Sequence, residues 1–451
     1  VKTKYHQIAL SLVLALSAVS SVNARGIEPP PAMTTQSPTS LEQIIAIALS
    51  NDASRAQLIA QSNATLSSGQ AKATLMDPTI KLGVGGMPVD SFRLDQDPMS
   101  NISLGVMQKF DRGDTIELQQ TQAKQQAEVV LQQADSRAQD ITTTVTALWL
   151  ELGYNQKVNV LLNRQKQWLE QLITSLDSNY SLGLSESQDV ISAQLKLSQL
   201  EQKLVSNQQM QAKISAQLSE WLGSNWLEQT NQILASNQLH WDNLESVLAH
   251  AKDAQARYQL LLKHPAIKAI DSSLASAETQ VSIAEEAYAP QFGVEVMYAH
   301  RQANNMRGEP APDMVSAYLT MDIPLFTGSK QDKALEAAQY QVGAAKSQRD
   351  AWLYRMEAQL SALLSDRQHI QQRITHYTNH LLKQARAQRD AIERGYQTNR
   401  AGFSDVVTSS ITEISLELER ERLITDLNLT NNQIASLVGI YQSADYSLSR
   451  R

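Results

Sequence analysis

The stretch YQTNRAGFSDV at residues 396–406 has an earlier counterpart, YSLGLSESQDV at residues 180–190. In both, a tyrosine precedes an Asp-Val pair, Asp405-Val406 or Asp189-Val190, that opens a proline-free amphipathic run closing at Gly439 or Gly223. Tyr396 and Tyr180, Asp405 and Asp189, and Gly439 and Gly223 each stand 216 positions apart, and Leu416/Leu200, Glu417/Glu201 and Gln433/Gln217 hold the same register. A gapless register over about forty residues marks an internal repeat, so the fold is expected to be two copies of one unit.

Each copy has an upstream partner. Asp77-Pro78-Thr79-Ile80-Lys81-Leu82-Gly83-Val84-Gly85 matches Ala289-Pro290-Gln291-Phe292-Gly293-Val294-Glu295-Val296-Met297 at a separation of 212, and Ile102 to Gly113 matches Ala317 to Gly328 at 215. The drift between copies falls in loops. The unit reads helix, strand pair, long helix, return helix, placing the first copy at 40–223, a connector at 224–258 and the second copy at 259–442.

Strands are predicted at about 79–88, 101–111, 291–302 and 314–326 from a period of two. Their apolar sides are Ile80, Leu82 and Val84; Ile102, Leu104 and Val106; Phe292, Val294, Val296 and Tyr298; and Val315, Ala317, Leu319, Met321 and Ile323. A lipid-facing barrel and a small sandwich both show this alternation, so the strands alone leave the two open. Four strands are too few to close a barrel, since the smallest have about eight, so the lipid reading requires several chains to pool their strands. Between the paired strands, residues 88–100 and 303–313 are polar and hold Pro88, Pro98, Pro310 and Pro312, as loops would.

Composition fits long helices. The chain has 451 residues, 42% hydrophobic but only 5% aromatic, which favours packing on Leu and Ala. A net charge of −7 without a basic block speaks against a nucleic-acid surface. There is no cysteine, so disulfides, thiolate metal sites and a lipidated N-terminal cysteine are not expected. Residues 1–24 read as a signal peptide, with Lys2 and Lys4, an apolar Ile8–Val19 stretch and Val22-Asn23-Ala24 as the cleavage pattern. Residues 25–39, rich in Pro, Ser and Thr, read as disordered, and 443–451 as a tail. Ser40 caps a helix expected to run from Leu41 to about Met76.

Prolines are absent between Pro98 and Pro265 and after Pro324, so 115–178 and 329–394 each read as one helix about 100 Å long. In the first return helix Val190, Ala193, Leu197, Leu200, Leu204, Asn207, Gln211, Ile214, Leu218 and Trp221 step by threes and fours, a coiled-coil seam. Asn207 and Gln211 interrupt it, as where a helix also faces water.

The two helix and strand-pair repeats, the signal peptide, the paired Tyr-x8-Asp-Val motifs and the closing Leu-Gly and Val-Gly resemble the TolC-type outer-membrane efflux family over about residues 40–442. The segments Met87-Pro88-Val89-Asp90-Ser91-Phe92 to Pro98-Met99, and Met297-Tyr298-Ala299-His300-Arg301 with Asp313-Met314-Val315-Ser316, are similar to the branch serving heavy-metal pumps of the resistance-nodulation-division type. The resemblance implies a mainly α fold with a small β part, trimerising into a twelve-stranded outer-membrane β-barrel continued by a periplasmic α-helical tunnel. It implies a passive exit duct, no cofactor, and as partners two further copies, outer-membrane lipid, a periplasmic adaptor and an inner-membrane pump. Metal cations or other small toxic solutes would be the cargo.

The resemblance also implies a constriction at Asp405, with Asp189 nearby. Relatives often carry a second acid three positions later, where this chain has Thr408, so a single carboxylate ring is expected. Carboxylates about 6 Å apart at an effective dielectric near 20 repel by roughly 3 kcal/mol per pair, which draws cations in. By its position alone, after Gly402, Asp405 reads as a helix cap in preference to a gate residue. Arg394 and Arg400 flank Tyr396 and are candidates for a latch to acids of a neighbouring helix; surface solvation is the plainer reading.

Other constellations are weaker. His376 and His380 have the i, i+4 spacing of a metal clip with His369 nearby, but no Glu, Asp or Cys completes a set, so a solvated face is expected. Met297, Met306, Met314 and Met321 invite a soft-metal site, yet Met321 shares the apolar alternation. No glycine-rich phosphate loop or Ser, His and Asp cluster points to an enzyme. The competing class is an exported periplasmic coiled-coil adaptor or scaffold, which needs one helical hairpin between β-rich domains where this chain has two hairpins.

Overall fold

The computed structural model describes residues 40–183, 185–223, 226, 233–251, 253–398 and 400–442. The signal peptide, residues 25–39, the tail 443–451 and part of the connector lie outside them. The first copy holds helices α1 (Leu41–Asn51) and α2 (Ala53–Lys72), strands β1 (Thr79–Gly85) and β2 (Asn101–Lys109), and helices α3 (Thr115–Ser181) and α4 (Ser187–Leu222). Helices α5 (Asp242–His250) and α6 (Ala254–Leu261) follow. The second copy holds α7 (Pro265–Glu286), β3 (Gln291–His300), β4 (Met314–Asp322), α8 (Gln331–His376), a π-turn (Tyr377–Leu381), α9 (Leu382–Gln397) and α10 (Phe403–Leu437).

The repeat separation of 216 reaches further than the tyrosine motifs. Thr115 and Gln331, which start α3 and α8, are 216 apart, as are Ser181 and Gln397, which end α3 and α9. The strands start at separations of 212 (Thr79, Gln291) and 213 (Asn101, Met314), so the residues gained lie in the loops around them.

Each long helix is a spine. At 67 residues α3 is about 100 Å long. From its far end the chain turns back through α4, which packs along α3, while α1 and α2 lie against the rest of it. In the second copy α7 packs on α3 and α8, and α10 packs on α3, α8 and α9. Two apolar clusters tie the returning chains to their spines: Ile44, Ile45 and Ala48 with Ile141, Val145, Trp149, Ile214 and Leu218, and Leu244, Leu261 and Ile267 with Leu353, Met356, Leu360 and Ile434. Each fully buried Leu or Ile contributes about 1.5–3 kcal/mol.

The expected single helix from Leu41 to Met76 is broken at Asp52. Ser40 caps α1 as anticipated, its hydroxyl accepting from the Gln43 N–H at 3.3 Å. Asp52 then leaves helical geometry and caps α2, accepting the Arg55 N–H at 2.6 Å, while Arg137 of α3 holds the carboxylate at 2.9 Å. Burial raises the Asp52 pKa, but the Arg137 and Arg55 hydrogen bonds outweigh it and leave it below the usual range. Asn207 does not face water either: it is buried, and its amide donates to the Asn155 carbonyl at 3.0 Å, joined by Gln211 at 3.2 Å.

The four strands form one antiparallel sheet in the order β1-β2-β3-β4. Leu82, Leu104, Tyr298 and Val315 stand opposite one another across it, as do Ile80, Val106, Val296 and Ala317. The strands end earlier than their alternation predicts. β1 stops where Gly86 takes φ +64, and a Cβ there would lie 2.6 Å from the Met99 carbonyl. β4 stops at Asp322, which Arg112 binds at 2.5 Å, two residues before Pro324.

The described part of the connector crosses the helices where they can be approached most closely. Trp226 and Ile233 join the first apolar cluster, and the Gln156 amide donates to the Ile233 carbonyl at 2.8 Å. Asn428 of α10 accepts from the Leu239 N–H at 3.0 Å and the Trp241 indole at 2.8 Å. Residues 236 and 237 pass over Gly153 of α3, where a Cβ would sit 2.3 Å from the Ser236 carbonyl carbon. Gly153→Ala should therefore lift this segment, costing about 1–3 kcal/mol. Protease cleavage within 233–241 and the unfolding midpoint report it; unchanged protection would mean that the close crossing is not required.

Candidate functional site

Two regions concentrate the sequence-predicted residues. The first is the sheet. No helix among the described residues is long and apolar enough to cross a membrane. All twelve predicted lipid-facing residues, Ile80, Leu82, Val84, Ile102, Leu104, Val106, Phe292, Val294, Val296, Tyr298, Val315 and Leu319, lie on one face and are at least 42% exposed. On the other face Lys81 and Glu295 pair at 2.7 Å across β2. A sandwich would have buried its apolar face against a second layer, and among the described residues none covers it.

The second region is the far end of the spines, where the α3–α4 and α9–α10 turns meet. Leu176, Ala193, Phe403 and Val407 form its core, with Trp168, Leu172, Val190, Tyr396 and Ile411 packed around it. The two copies are unequal here: Tyr396 packs into the cluster, whereas Tyr180 is 51% exposed.

Asp405 is exposed and its Oδ2 accepts the Gly402 N–H at 3.1 Å, so the capping role is realised. Asp189 and Thr408 come together in a cleft of about 330 Å³ between α4 and α10, with Ser192, Lys196, Ser404 and Thr412, and Asp405 does not line it. Arg394 and Arg400 are exposed and make no ion pair among the described residues. The four methionines are not gathered: Met321 opposes Phe292 on the apolar face, Met297 and Met314 sit on the other face, and Met306 is in the loop. Among the described residues no three His, Cys, Asp or Glu side chains are grouped to hold a metal.

Sequence reasoning missed an ionic seam on α10. Glu413, Glu417 and Glu421, at steps of four, are each buried. Arg386 of α9 binds Glu413 at 3.1 Å and Glu417 at 2.8 Å, Arg389 binds Glu413 at 2.5 Å, and Arg164 of α3 reaches across to Glu417. Further along, Arg422 forks onto both Glu151 oxygens at 2.8 Å, binds Asp426 and lies over the Tyr154 ring at 5.0 Å. Burial pushes the Glu417 carboxyl up, but the Arg386 hydrogen bond and the Arg164 charge more than offset this and hold it below its usual range. The signal was present: Glu413 falls at the seam position that Leu197 occupies in the first copy, 216 residues earlier.

A sequence profile of the family described as outer membrane efflux protein matches residues 256–443. Nothing among curated proteins matches the chain. Among solved structures, the outer membrane protein VceC from Vibrio cholerae is similar with a TM-score of 0.70 at 15% identity, covering 88% of this chain and 96% of that one. CusC, described for conformational changes accompanying transmembrane channel formation, gives 0.69 at 11% identity over 90% and 95%. The Campylobacter jejuni CmeC outer membrane channel gives 0.69 at 12% identity over 90% and 88%. The chain has the mainly helical fold of these proteins, with its four-stranded sheet.

The seam gives a signed pH dependence. A carboxyl depressed in the folded state stabilises above its unfolded value and loses that contribution as pH falls through the folded one. Glu417→Gln should cost about 1.5–3 kcal/mol at neutral pH, the range for hydrogen bonds to charged groups, since Arg164 and Arg386 are exposed enough to turn to water. The gap between wild type and variant should close as pH drops below the ordinary glutamate value of 4.5. Unfolding midpoints against pH measure it, and a gap that persists in acid would mean that the pairing contributes nothing.

Proposed function

We propose that this chain is the subunit of a trimeric outer-membrane channel, the passive exit duct of a tripartite efflux system reached through a periplasmic adaptor and a resistance-nodulation-division pump. The observation that carries the reading is the sheet: four strands with both edges open and one mainly apolar, exposed face, broken by Gln108 and His300 near the strand ends, mounted on helices about 100 Å long. Three such sheets joined β4 to β1 make twelve strands, leaving no edge and turning the apolar face to lipid. The family profile over the second copy and the shared fold support it.

In this assembly three copies of the α9–α10 turn surround the narrow end of the tunnel. Asp405 serves there as both cap and charge: one oxygen takes the Gly402 N–H, and the net charge faces the axis. Asp189 and Thr408 line the neighbouring cleft, and Arg394 and Arg400, without an ion pair among the described residues, latch to acids of the adjacent copy. A cation-attracting ring suits export of metal cations or other small toxic solutes, as in the branch serving heavy-metal pumps.

Two measurements test this. Extracted in mild detergent and run unheated, the protein should migrate as a trimer that heating converts to a monomer; a monomeric, detergent-independent periplasmic protein would end the channel reading. In planar bilayers Asp405→Ala should raise conductance, and Asp405→Asn, which keeps a cap acceptor, should weaken cation preference. If both variants conduct like wild type, the aspartate acts as a cap alone.

A further inference from the structure

We propose that His376 and His380 form a two-imidazole site for a borderline divalent transition cation, Cu2+, Ni2+ or Zn2+, on the second spine. The site sits on the one π-turn among the described residues, Tyr377–Leu381, between α8 and α9. Such turns are rare and interrupt helices at functional places more often than elsewhere. Chain length does not force this one: both spines keep the separation of 216 from start to end, yet α3 passes through the equivalent positions 161–165 as uninterrupted α-helix.

Two residues distinguish the copies at this place. At position 161 the first spine has a leucine that is 6% exposed, and its return helix carries Lys203 where the second carries Glu419. The second spine has Tyr377, whose hydroxyl donates to Glu419 of α10 at 2.6 Å. That bond anchors the wide turn to the neighbouring helix.

His376, the last residue of α8, and His380, within the π-turn, are exposed, with ring centroids 5.3 Å apart and planes 32° from parallel. The first copy has Val160 and Arg164 at these positions, so the pair belongs to the second spine alone. Neutral imidazoles four residues apart on one helix face can donate one nitrogen each to a single ion, with metal–nitrogen distances of about 2.0–2.1 Å. Imidazole selects Cu, Ni and Zn over hard cations such as Mg2+, and Cu2+ binds most tightly among the divalent ions. With no third protein ligand grouped there, water completes the shell, which makes an exchangeable site rather than a structural one. His369 is excluded: its Nδ1 lies 2.8 Å from the Ser365 carbonyl oxygen, and it stands seven residues, roughly 10 Å, before His376.

The site does not depend on the channel reading, and its test is independent of conduction. The full chain in detergent is titrated at neutral pH with Cu2+, then Ni2+ and Mg2+, and the paramagnetic resonance spectrum of the first Cu2+ equivalent is recorded. Two imidazole nitrogens are expected, with Mg2+ giving no response. His376→Ala and His380→Ala should each weaken Cu2+ binding by roughly tenfold or more and reduce the count to one nitrogen, while His369→Ala changes neither. Because both residues are exposed, their replacement leaves the fold intact. An unchanged first equivalent in the two pair variants, or an equal loss in His369→Ala, overturns the site.

Discussion

An edge strand leaves a row of backbone N–H and C=O groups without partners, and in this chain β1 and β4 are both edges. Water satisfies such groups at no cost; hydrocarbon does not, and each one left bare there costs several kcal/mol. The same sheet presents a face so apolar that Leu82, Val315 and Leu319 are each more than 70% exposed. Either feature alone is tolerable in a soluble chain. Together they ask for a closed, lipid-facing barrel, and one chain has too few strands to make it. On the proposed reading the helical part inherits that demand, because each strand pair continues directly into a spine, so that a threefold closure of the sheets would impose a threefold arrangement on the helices.

The internal repeat makes the chain its own control. The two copies share length and register through their spines, yet the second carries different residues at matched positions on both its spine and its return helix. Leu197 is replaced by Glu413, Leu161 by Tyr377 and Val160 by His376. The reason lies in what each return helix touches. α4 packs along α3 with α1 at its end, whereas α10 packs against α3, α8 and α9 and meets partners on more than one side. A helix so enclosed has side chains that must be satisfied by protein, and the arginines of α9 and α3 do this for its glutamates.

Much of the fold was legible in the sequence because its signals are local or periodic. Alternation marked all four strands, the absence of proline marked the spines, and Ser40 marked the start of α1. What was not legible depends on contacts distant in sequence. Asp52 breaks the first helix because Arg137, far along the chain, makes that break favourable, and Asn207 sits in the seam because the Asn155 carbonyl accepts its amide. The π-turn, where Tyr377 donates to Glu419 of a different helix, was likewise not readable from any one stretch. At the narrow end, the cap made by Asp405 was readable from Gly402, but the cleft shared by Asp189 and Thr408 comes from the two hairpin ends meeting, which no single stretch encodes.

The ionic seam also answers a question that apolar packing leaves open. Helices this long, lined every three or four residues by Leu and Ala, bury nearly the same area after sliding past one another by two turns, so burial alone sets their register weakly. Charged partners are less forgiving. Moving α10 by one heptad would carry Glu413 and Glu417 away from Arg386 and Arg389 and leave buried carboxylates unpaired, a cost well above that of displaced aliphatic contacts. Arg164 extends the lock across the repeat, tying the first spine to the second return helix. On the proposed reading, the narrow end can open only if the α9–α10 hairpin moves against α3, and Arg164–Glu417 and the Phe403 cluster are the contacts such a motion must break. The seam therefore holds α10 in one register against α3 and α9, and the apolar Phe403 cluster adds to that hold at the end of the hairpin.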